Sequence, residues 1–579
     1  MNTIDGIVIL IYFIVVVGLG FWYRKRASKN LNSYFLGSNQ ISWWKLAMSG
    51  SVSTFDITGT MWIVSLLIVL GMKSMWIHWM WGVMLGAFCM AYMGKWVRRS
   101  NVVTAAEWMV TRFGSSRGGK LARTVYALMA VLMQASFIGY AFQGIGKFAS
   151  VYIPLPASIL AIAIISLTTL YVLLGGLFSV VITDVIQTII LTIAGIFICY
   201  LAFSSISASE IQSFLPENWF SLKPVWQIKE LAGTEYSIYQ MFGALTIVWV
   251  LKGLLLNLGG PAQMYDFQRF LAARDTRDAA KVGASWSLFL VVRWGMAAAI
   301  ALLALSGLTE ITDPEKVMPI VIKDFIPIGF RGLIIAGLLA AFMSTFSSTV
   351  NSGASYIVKD IWQEYFRPDA DENQLVRASY LSTILIVVVG ILIGTQATSI
   401  AQIWNWMMMA LGAGVIIPNV LRWYWWRING TAYAAGTFTG ILASIVVLFN
   451  PDSPMYIYFP LIILFSGLVS IGVAYATKPV KKSVLVDFYK KVRPIGFWKP
   501  IKDELSKEER EYKKSDSPFL AIVNTLFGII AITALYLFPM YLVGHQVITA
   551  LFLFGISAGI IIVLYFTWYK NLPEKGETG

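Results

Sequence analysis

Long apolar runs alternate with short polar or basic breaks from the first residues of the chain to the last. Roughly fifteen of these runs reach the ~20 residues a helix needs to cross a bilayer. The first, Ile4 to Tyr23, is long and lacks a small-residue cleavage site, so it predicts a retained span and not a removed leader. The pattern predicts an all-α polytopic membrane protein.

Two runs carry small and polar residues near their middles. In the second run, Met48 to Thr60 reads MSGSVSTFDITGT; in the seventh, Leu256 to Gln263 reads LNLGGPAQ. Gly259, Gly260 and Pro261 cannot continue a regular helix without losing hydrogen bonds. Freed backbone at membrane depth is tolerated where it lines a cavity or is buried in protein. The breaks lie five spans apart, so the two helices cross in opposite directions, as in inverted-repeat transporters that bind solute and ions at broken helices. Two kinked packing helices would also give this pattern.

A third run has a hydroxyl stripe. Ala340 to Ser355 reads AAFMSTFSSTVNSGAS, and Ser344, Ser347, Ser348, Asn351 and Ser355 recur at three- and four-residue steps on one face. Turned inward, such oxygens can replace the water around a small hard cation. Turned to a neighbouring helix, they are packing glue.

Composition narrows the class. The chain has 579 residues, 58% hydrophobic and only 13% charged, with mean hydropathy +0.71. Soluble domains are about a quarter charged, which excludes an ordinary soluble enzyme. The net charge of +14 is spread over loops: Arg24 to Lys29, Arg98 to Arg123, Arg269 to Lys281, Arg422 with Arg427, and Lys478 to Lys514. All fall on one side when the runs are counted in order, which the positive-inside rule makes cytoplasmic. The acidic loops Ser205–Tyr236 and Thr309–Ile328 fall on the other. This predicts an outside N-terminus and a cytoplasmic C-terminus, in a plasma or bacterial inner membrane. The basic excess reads as topology plus attraction to anionic lipid; no nucleic-acid module and no obligatory protein partner is visible. Cys89 and Cys199 lie in different runs, so no disulfide framework is expected.

SYFLGSNQISWW (Ser33–Trp44), GGLFSVVITDVIQ (Gly175–Gln187), QRFLAARDTRDA (Gln268–Ala279) and AAFMSTFSSTVNS followed by VKDIWQEY closely resemble signature segments of the sodium:solute symporters, in order and over the first three quarters of the chain. The resemblance implies a five-plus-five inverted repeat of the LeuT type, two broken helices, and peripheral helices around them. Mapped onto this chain, it implies a peripheral helix and linker over 1–40, a first repeat over 41–206 and a second over 207–428. Two peripheral helices follow over 429–477, a basic cytoplasmic loop over 478–517, and two C-terminal helices over 518–579.

The resemblance also implies Na⁺ as coupling ion and a small polar organic solute as cargo. A first Na⁺ site falls on the carbonyls of Ser49 and Val52 and on Ala341, Ser344 and Thr345. A second Na⁺ site, found in two-sodium members, falls on Asp184, Ser344, Ser347 and Ser348. Asp184 could instead cap a helix at a short Gly175–Gly176 turn. Two ions descending ~100 mV and a tenfold gradient supply roughly 7 kcal/mol, enough for about 10⁵-fold accumulation of a neutral solute.

Polar residues within the spans nominate the solute site. Asp56 sits one turn past the first break, yet could simply pair with Lys252 or Lys73. His78 lies within one residue of a hydroxyl-binding Glu of sugar-transporting relatives, or packs between tryptophans. Lys252 and Arg293 could clamp a carboxylate or neutralise Asp56. Gln134, Asn257, Asn405 and Trp406 complete the expected pocket. Gly259 stands where some relatives close an aromatic side chain over sugar, a departure that weakens a sugar reading. A sugar-like solute is nonetheless slightly favoured over an amino acid, other zwitterion or organic acid. A membrane enzyme is disfavoured because no nucleophile meets a base. A sensor or channel-like relative is a further alternative, and the tail after Lys570 is short for a signalling domain.

Overall fold

A computed structural model describes residues 2–27, 36–260, 264–308, 310–397, 399–450, 453–510 and 513–577. Pro261–Gln263 of the second break, and Lys29 and Ser33–Tyr34 among the sequence signals, lie outside the described residues. Within them the secondary structure is helical, apart from one isolated β-bridge between Trp425 and Phe497. Ten helices are long and apolar enough to cross a membrane, or eleven when the pair bent by 40° at Gly412 counts as one span. Three further apolar helices are shorter. The expected fifteen is not reached among the described residues.

In chain order, α1 (Thr3–Ala27) precedes the first broken span, made of α2 (Trp43–Thr54) and α3 (Ile57–Leu70). Then come α4 (Met75–Phe88), α5 (Arg117–Ser150) and α6 (Ala157–Ser205). The second broken span is α7 (Phe242–Leu258) and α8 (Met264–Leu271), followed by α9 (Thr276–Phe289), α10 (Val291–Gly307) and the hydroxyl-bearing α11 (Phe330–Ser355). The chain continues through α12 (Glu372–Gln396), α13 (Ile400–Asn405), α14 (Ala413–Tyr424), α15 (Gly430–Leu448) and α16 (Met455–Ala476). A short α17 (Lys482–Val492) leads to α18 (Pro518–Val543) and α19 (Val547–Thr567).

The hydroxyl helix is the most enclosed. In the span Phe330–Phe366, 94% of the apolar stretch is buried, against 17% in Val547–Asn571. The serine row therefore faces protein and not lipid. Its N-terminus is held from outside the repeat: Asp5 of α1 is fully buried, and its Oδ1 accepts from the backbone N–H of Gly329 (2.8 Å) and Gly332 (3.0 Å). These are donors that a helix start leaves without internal partners.

Two readings change. Residues 157–205 are helical throughout, so Asp184 is an interior helix residue and not a cap at a turn. The segment 478–517, expected as a loop, forms helix over Lys482–Val492 and packs inward: Leu485, Phe488, Tyr489, Val492 and Trp498 are buried. The Arg112 guanidinium lies 5.3 Å from the Phe488 ring and 4.9 Å from that of Trp498, so cations and aromatics interleave there as they do at exposed cation–π sites, only dry.

Helices α14 and α15 meet backbone to backbone at Gly414 and Gly440, where a Cβ on either would lie 2.3–2.6 Å from the other's main chain. Small residues allow such close approach in membranes. Gly440→Val should abolish the monodisperse folded fraction in detergent. Gly559→Val, on α19 with nothing within 4 Å of its would-be Cβ, should leave that fraction unchanged; equal behaviour of the two in size-exclusion profiles would refute this packing.

Candidate functional site

The first broken span parts at Phe55, whose φ of −91° and ψ of 49° leave the helix; Asp56 is extended at φ −74°, ψ 157°. Asp56 caps α3, its Oδ2 accepting from Gly59 N–H at 2.9 Å. The break frees carbonyls upstream. The Ser53 carbonyl accepts from Thr345 Oγ1 of α11 at 2.6 Å, and the Thr54 carbonyl accepts from the Arg293 guanidinium of α10. Thr345 Oγ1 also lies 3.1 Å from the Ala341 carbonyl. The kinked span and the hydroxyl helix thus meet at the break.

The residues expected at a first ion site divide. Ala341 and Thr345 stand at this junction with the Ser53 carbonyl. The Val52 carbonyl accepts from Phe55 N–H at 3.1 Å, and Ser49 lies inside regular α2, more than one turn before the break. Ser344 Oγ sits beside the Asp184 carboxylate without a hydrogen bond of regular geometry.

Around Asp184 the structure gathers a second set. Ser49 Oγ donates to Asp184 Oδ2 at 2.5 Å. Ser348 Oγ accepts from a terminal nitrogen of Arg269 at 2.7 Å, and the same guanidinium lies 3.2 Å from Ser49 Oγ and 3.9 Å from Asp184 Oδ2. Ser347 turns its hydroxyl back on the Ser344 carbonyl (3.1 Å). Arg269 is fully buried on α8. The sequence offered it only as one of several loop cations.

The central cavity lies beyond the break. It is small, about 50 Å³, room for a few waters. Asp56, His78 and Arg293 line it, together with Trp62, Tyr140, Trp249, Trp294, Trp404 and Asp266. Arg293 approaches Asp56 at 3.3 Å and Thr60 Oγ1 at 3.2 Å, so of the cations offered for Asp56 it is Arg293 that pairs with it. The Tyr140 hydroxyl lies beside Asp56, both within 3.0 Å of where a Gly59 Cβ would stand. Gly59 makes this cluster possible: a Cβ there would sit 2.5 Å from Asp56 Oδ1 and 2.7 Å from Arg293. His78 is buried, with neither ring nitrogen hydrogen-bonded among the described residues, edge-on to Trp62 at 4.6 Å. Trp404 packs on Tyr140 (5.1 Å) and Trp62 (5.4 Å), closing an aromatic box.

Five expected solute residues lie elsewhere. Gln134 donates to Ser352 Oγ (3.3 Å) between α5 and α11. Lys252 places its ammonium 4.0 Å from the Trp249 ring, and Asn257 bonds to the Gly253 carbonyl (2.8 Å) within α7. Asn405 is buried beside Tyr239. Trp406 donates to the Ser444 carbonyl of α15 (3.2 Å), while Trp404, two residues earlier, takes the pocket position. At the second break the Gly259 carbonyl accepts from Arg422 (3.2 Å) and Trp423 Nε1 (2.9 Å), so α14 supplies its missing donors.

Against known proteins, the profile of the sodium:solute symporter family matches residues 34–443. The chain belongs to the sodium:solute symporter family. Relatives include the sodium/glucose cotransporter of Vibrio parahaemolyticus, 24% identical over 77% of this chain and 84% of that protein. The osmoregulated proline transporter OpuE of Bacillus subtilis is 23% identical over 82% and 95%. Mouse sodium/myo-inositol cotransporter 2 is 23% identical over 84% and 78%. A Na⁺-coupled sialic acid symporter, solved substrate-bound and outward-open, aligns with TM-score 0.64 at 18% identity, over 83% of this chain and 99% of that one. That likeness gives the LeuT-type fold. As a family member the chain is a multi-pass membrane carrier of small solutes, not an enzyme, and Na⁺ is its coupling ion.

Removing one partner of a buried ion pair strands the other's charge, at a cost of about 3–5 kcal/mol, whereas replacing both by apolar groups is often neutral. Arg293→Met should therefore lower the unfolding temperature of the purified symporter markedly, and Arg293→Met with Asp56→Leu should recover most of the loss. Equal destabilisation by single and double variants would contradict the pairing.

Proposed function

We propose that this symporter imports a small, polar, net-neutral organic solute by alternating access, with Na⁺ bound where α2 meets α11. The observation that supports it is the contact of Thr345 with the freed Ser53 carbonyl. The ion's oxygens would come from Ala341, Ser344 and Thr345 on one side and from the end of α2, at Ser49, Val52 or Ser53, on the other. No full negative charge belongs to that set, so carbonyl dipoles and hydroxyls do the work. The ion would couple the two halves by holding the kinked helix against the hydroxyl helix until the solute site has closed.

A sugar-like solute is favoured by the cavity's chemistry. Asp56 and Arg293 neutralise each other, which disfavours a solute with net charge. His78, Asp56 and Tyr140 offer both donor and acceptor functions, and indole rings suit the apolar face of a sugar or cyclitol. The aromatic box fills most of the space, so rings must move for solute to enter. The same Asp56–Arg293 pair supports a second reading: an amino acid could part it, its amine meeting Asp56 and its carboxylate Arg293. We place the N-terminus outside and the C-terminus in the cytoplasm, on the one-sided basic loops.

In proteoliposomes with an inward Na⁺ gradient, Thr345→Ala and Ser344→Ala should each reduce uptake at least tenfold while leaving folding intact. Sodium-independent uptake untouched by both changes would end the proposal. The solute is found by thermal-shift screening of sugars, cyclitols, amino acids and acidic sugars with and without Na⁺. Asp56→Asn should then retain part of the transport of a hydroxylated solute and lose that of an amine.

A further inference from the structure

The segment after α16 sorts its charge. From Lys478 to Lys502 it has eight lysines and arginines and a single acid, Asp487, whereas Asp503 to Asp516 has six acids and four bases. Lys482 and Lys490 are answered by Glu504 and Glu509 of the acidic stretch, at 2.5 Å and 2.9 Å. Lys478, just past the end of α16, and Lys499, just past Trp498, are exposed.

Between these two lysines the chain turns aromatic rings outward. Phe497 is 76% exposed, and its backbone pairs with the end of α14: Phe497 N–H donates to the Tyr424 carbonyl (2.7 Å) and Trp426 N–H to the Phe497 carbonyl (3.2 Å). Gly496 permits this approach, with φ +113° and a would-be Cβ 2.6 Å from the Tyr424 carbonyl oxygen. The Trp425 ring packs at 5.7 Å on Tyr475, an exposed residue in the last turn of α16, and the Arg427 guanidinium lies over the same ring at 5.8 Å. Exposed rings and cations at the end of a spanning helix suit the headgroup layer of a bilayer. The excess of bases over acids selects anionic headgroups within it.

The patch is joined inward to the transport machinery. Trp498 is fully buried and donates from Nε1 to the Trp423 carbonyl (2.9 Å); Arg112 donates to the Arg422 carbonyl (2.8 Å) while lying on the Trp498 ring. These are end carbonyls of α14, which a helix leaves without internal partners. The side chains of the same two residues, Arg422 and Trp423, hold the Gly259 carbonyl at the second break.

We propose that Lys478, Phe497 and Lys499, with Tyr475 and Arg427, form a docking site for anionic phospholipid, and that lipid bound there tightens the hold of α14 on the second break. Membrane charge thus regulates the carrier from outside its ion and solute sites, whatever solute it moves.

The test uses the full-length protein in nanodiscs of phosphatidylcholine alone, or of phosphatidylcholine and phosphatidylglycerol in equal parts. Phosphatidylglycerol should slow hydrogen–deuterium exchange several-fold around Phe497 and Trp498, and also around Gly259 and Gly260. Native mass spectrometry should show phosphatidylglycerol retained in preference to phosphatidylcholine. Each lysine near an anionic surface contributes about fivefold to that preference, the equivalent of ~1 kcal/mol, so Lys478→Gln/Lys499→Gln should lose most of both effects. Lys507→Gln/Lys514→Gln removes as much charge from exposed positions outside the patch and should behave as wild type. Equal loss in the two double variants would reduce the effect to net charge and overturn the site. Slowed exchange at the patch with none at Gly259 and Gly260 would overturn the regulation. Equal retention of the two lipids would refute lipid docking, as would inorganic phosphate that reproduces the protection in phosphatidylcholine discs, since the ligand is then a free anion.

Discussion

A carbonyl released from a helix in mid-bilayer has no water to turn to, and the structure depends on what answers it. At Phe55 the chain leaves helical geometry, and the Ser53 and Thr54 carbonyls are met by Thr345 and Arg293, from two helices far along the sequence. The side chain that restarts the helix, Asp56, is also the one that holds Arg293 in place. One interruption therefore sets the junction with the hydroxyl helix, the buried ion pair and one wall of the cavity. The second interruption is treated differently. Its Gly259 carbonyl is saturated by Arg422 and Trp423, so it is braced where the first is poised.

Buried charge follows a common plan. Asp56 and Asp184 stand at the start of α3 and on α6, and the arginines facing them, Arg293 and Arg269, on α10 and α8. Each pair ties together helices distant in the sequence. Such pairs add little net stability against apolar substitutes but penalise every arrangement that separates them. They define which closed states are permitted.

The fold class, the two breaks and the inward hydroxyl row were legible because they rest on local rules: apolar length, Gly and Pro placement, and a helical repeat of oxygens. The pocket was half legible. Asp56, His78 and Arg293 converge, since an ionisable group inside a span has few other reasons to be there. Trp406 and Trp404 could not be told apart, because they stand on nearly opposite faces of one helix and the local pattern does not say which face meets the cavity. Arg269 was hidden for a different reason. A cation at the basic end of a span satisfies the topology rule whether it faces water or a buried carboxylate, and charge counting has no term for direction.

The first helix carries a consequence of its own. With Asp5 accepting two backbone N–H groups at the start of α11, α1 is fastened to the hydroxyl helix and not merely laid beside it. Any displacement of α11 must take α1 through the lipid with it, or tear a dry carboxylate from its donors. The thickness and packing of the surrounding bilayer, which set where a lipid-facing helix rests, thereby gain a mechanical handle on the hydroxyl row.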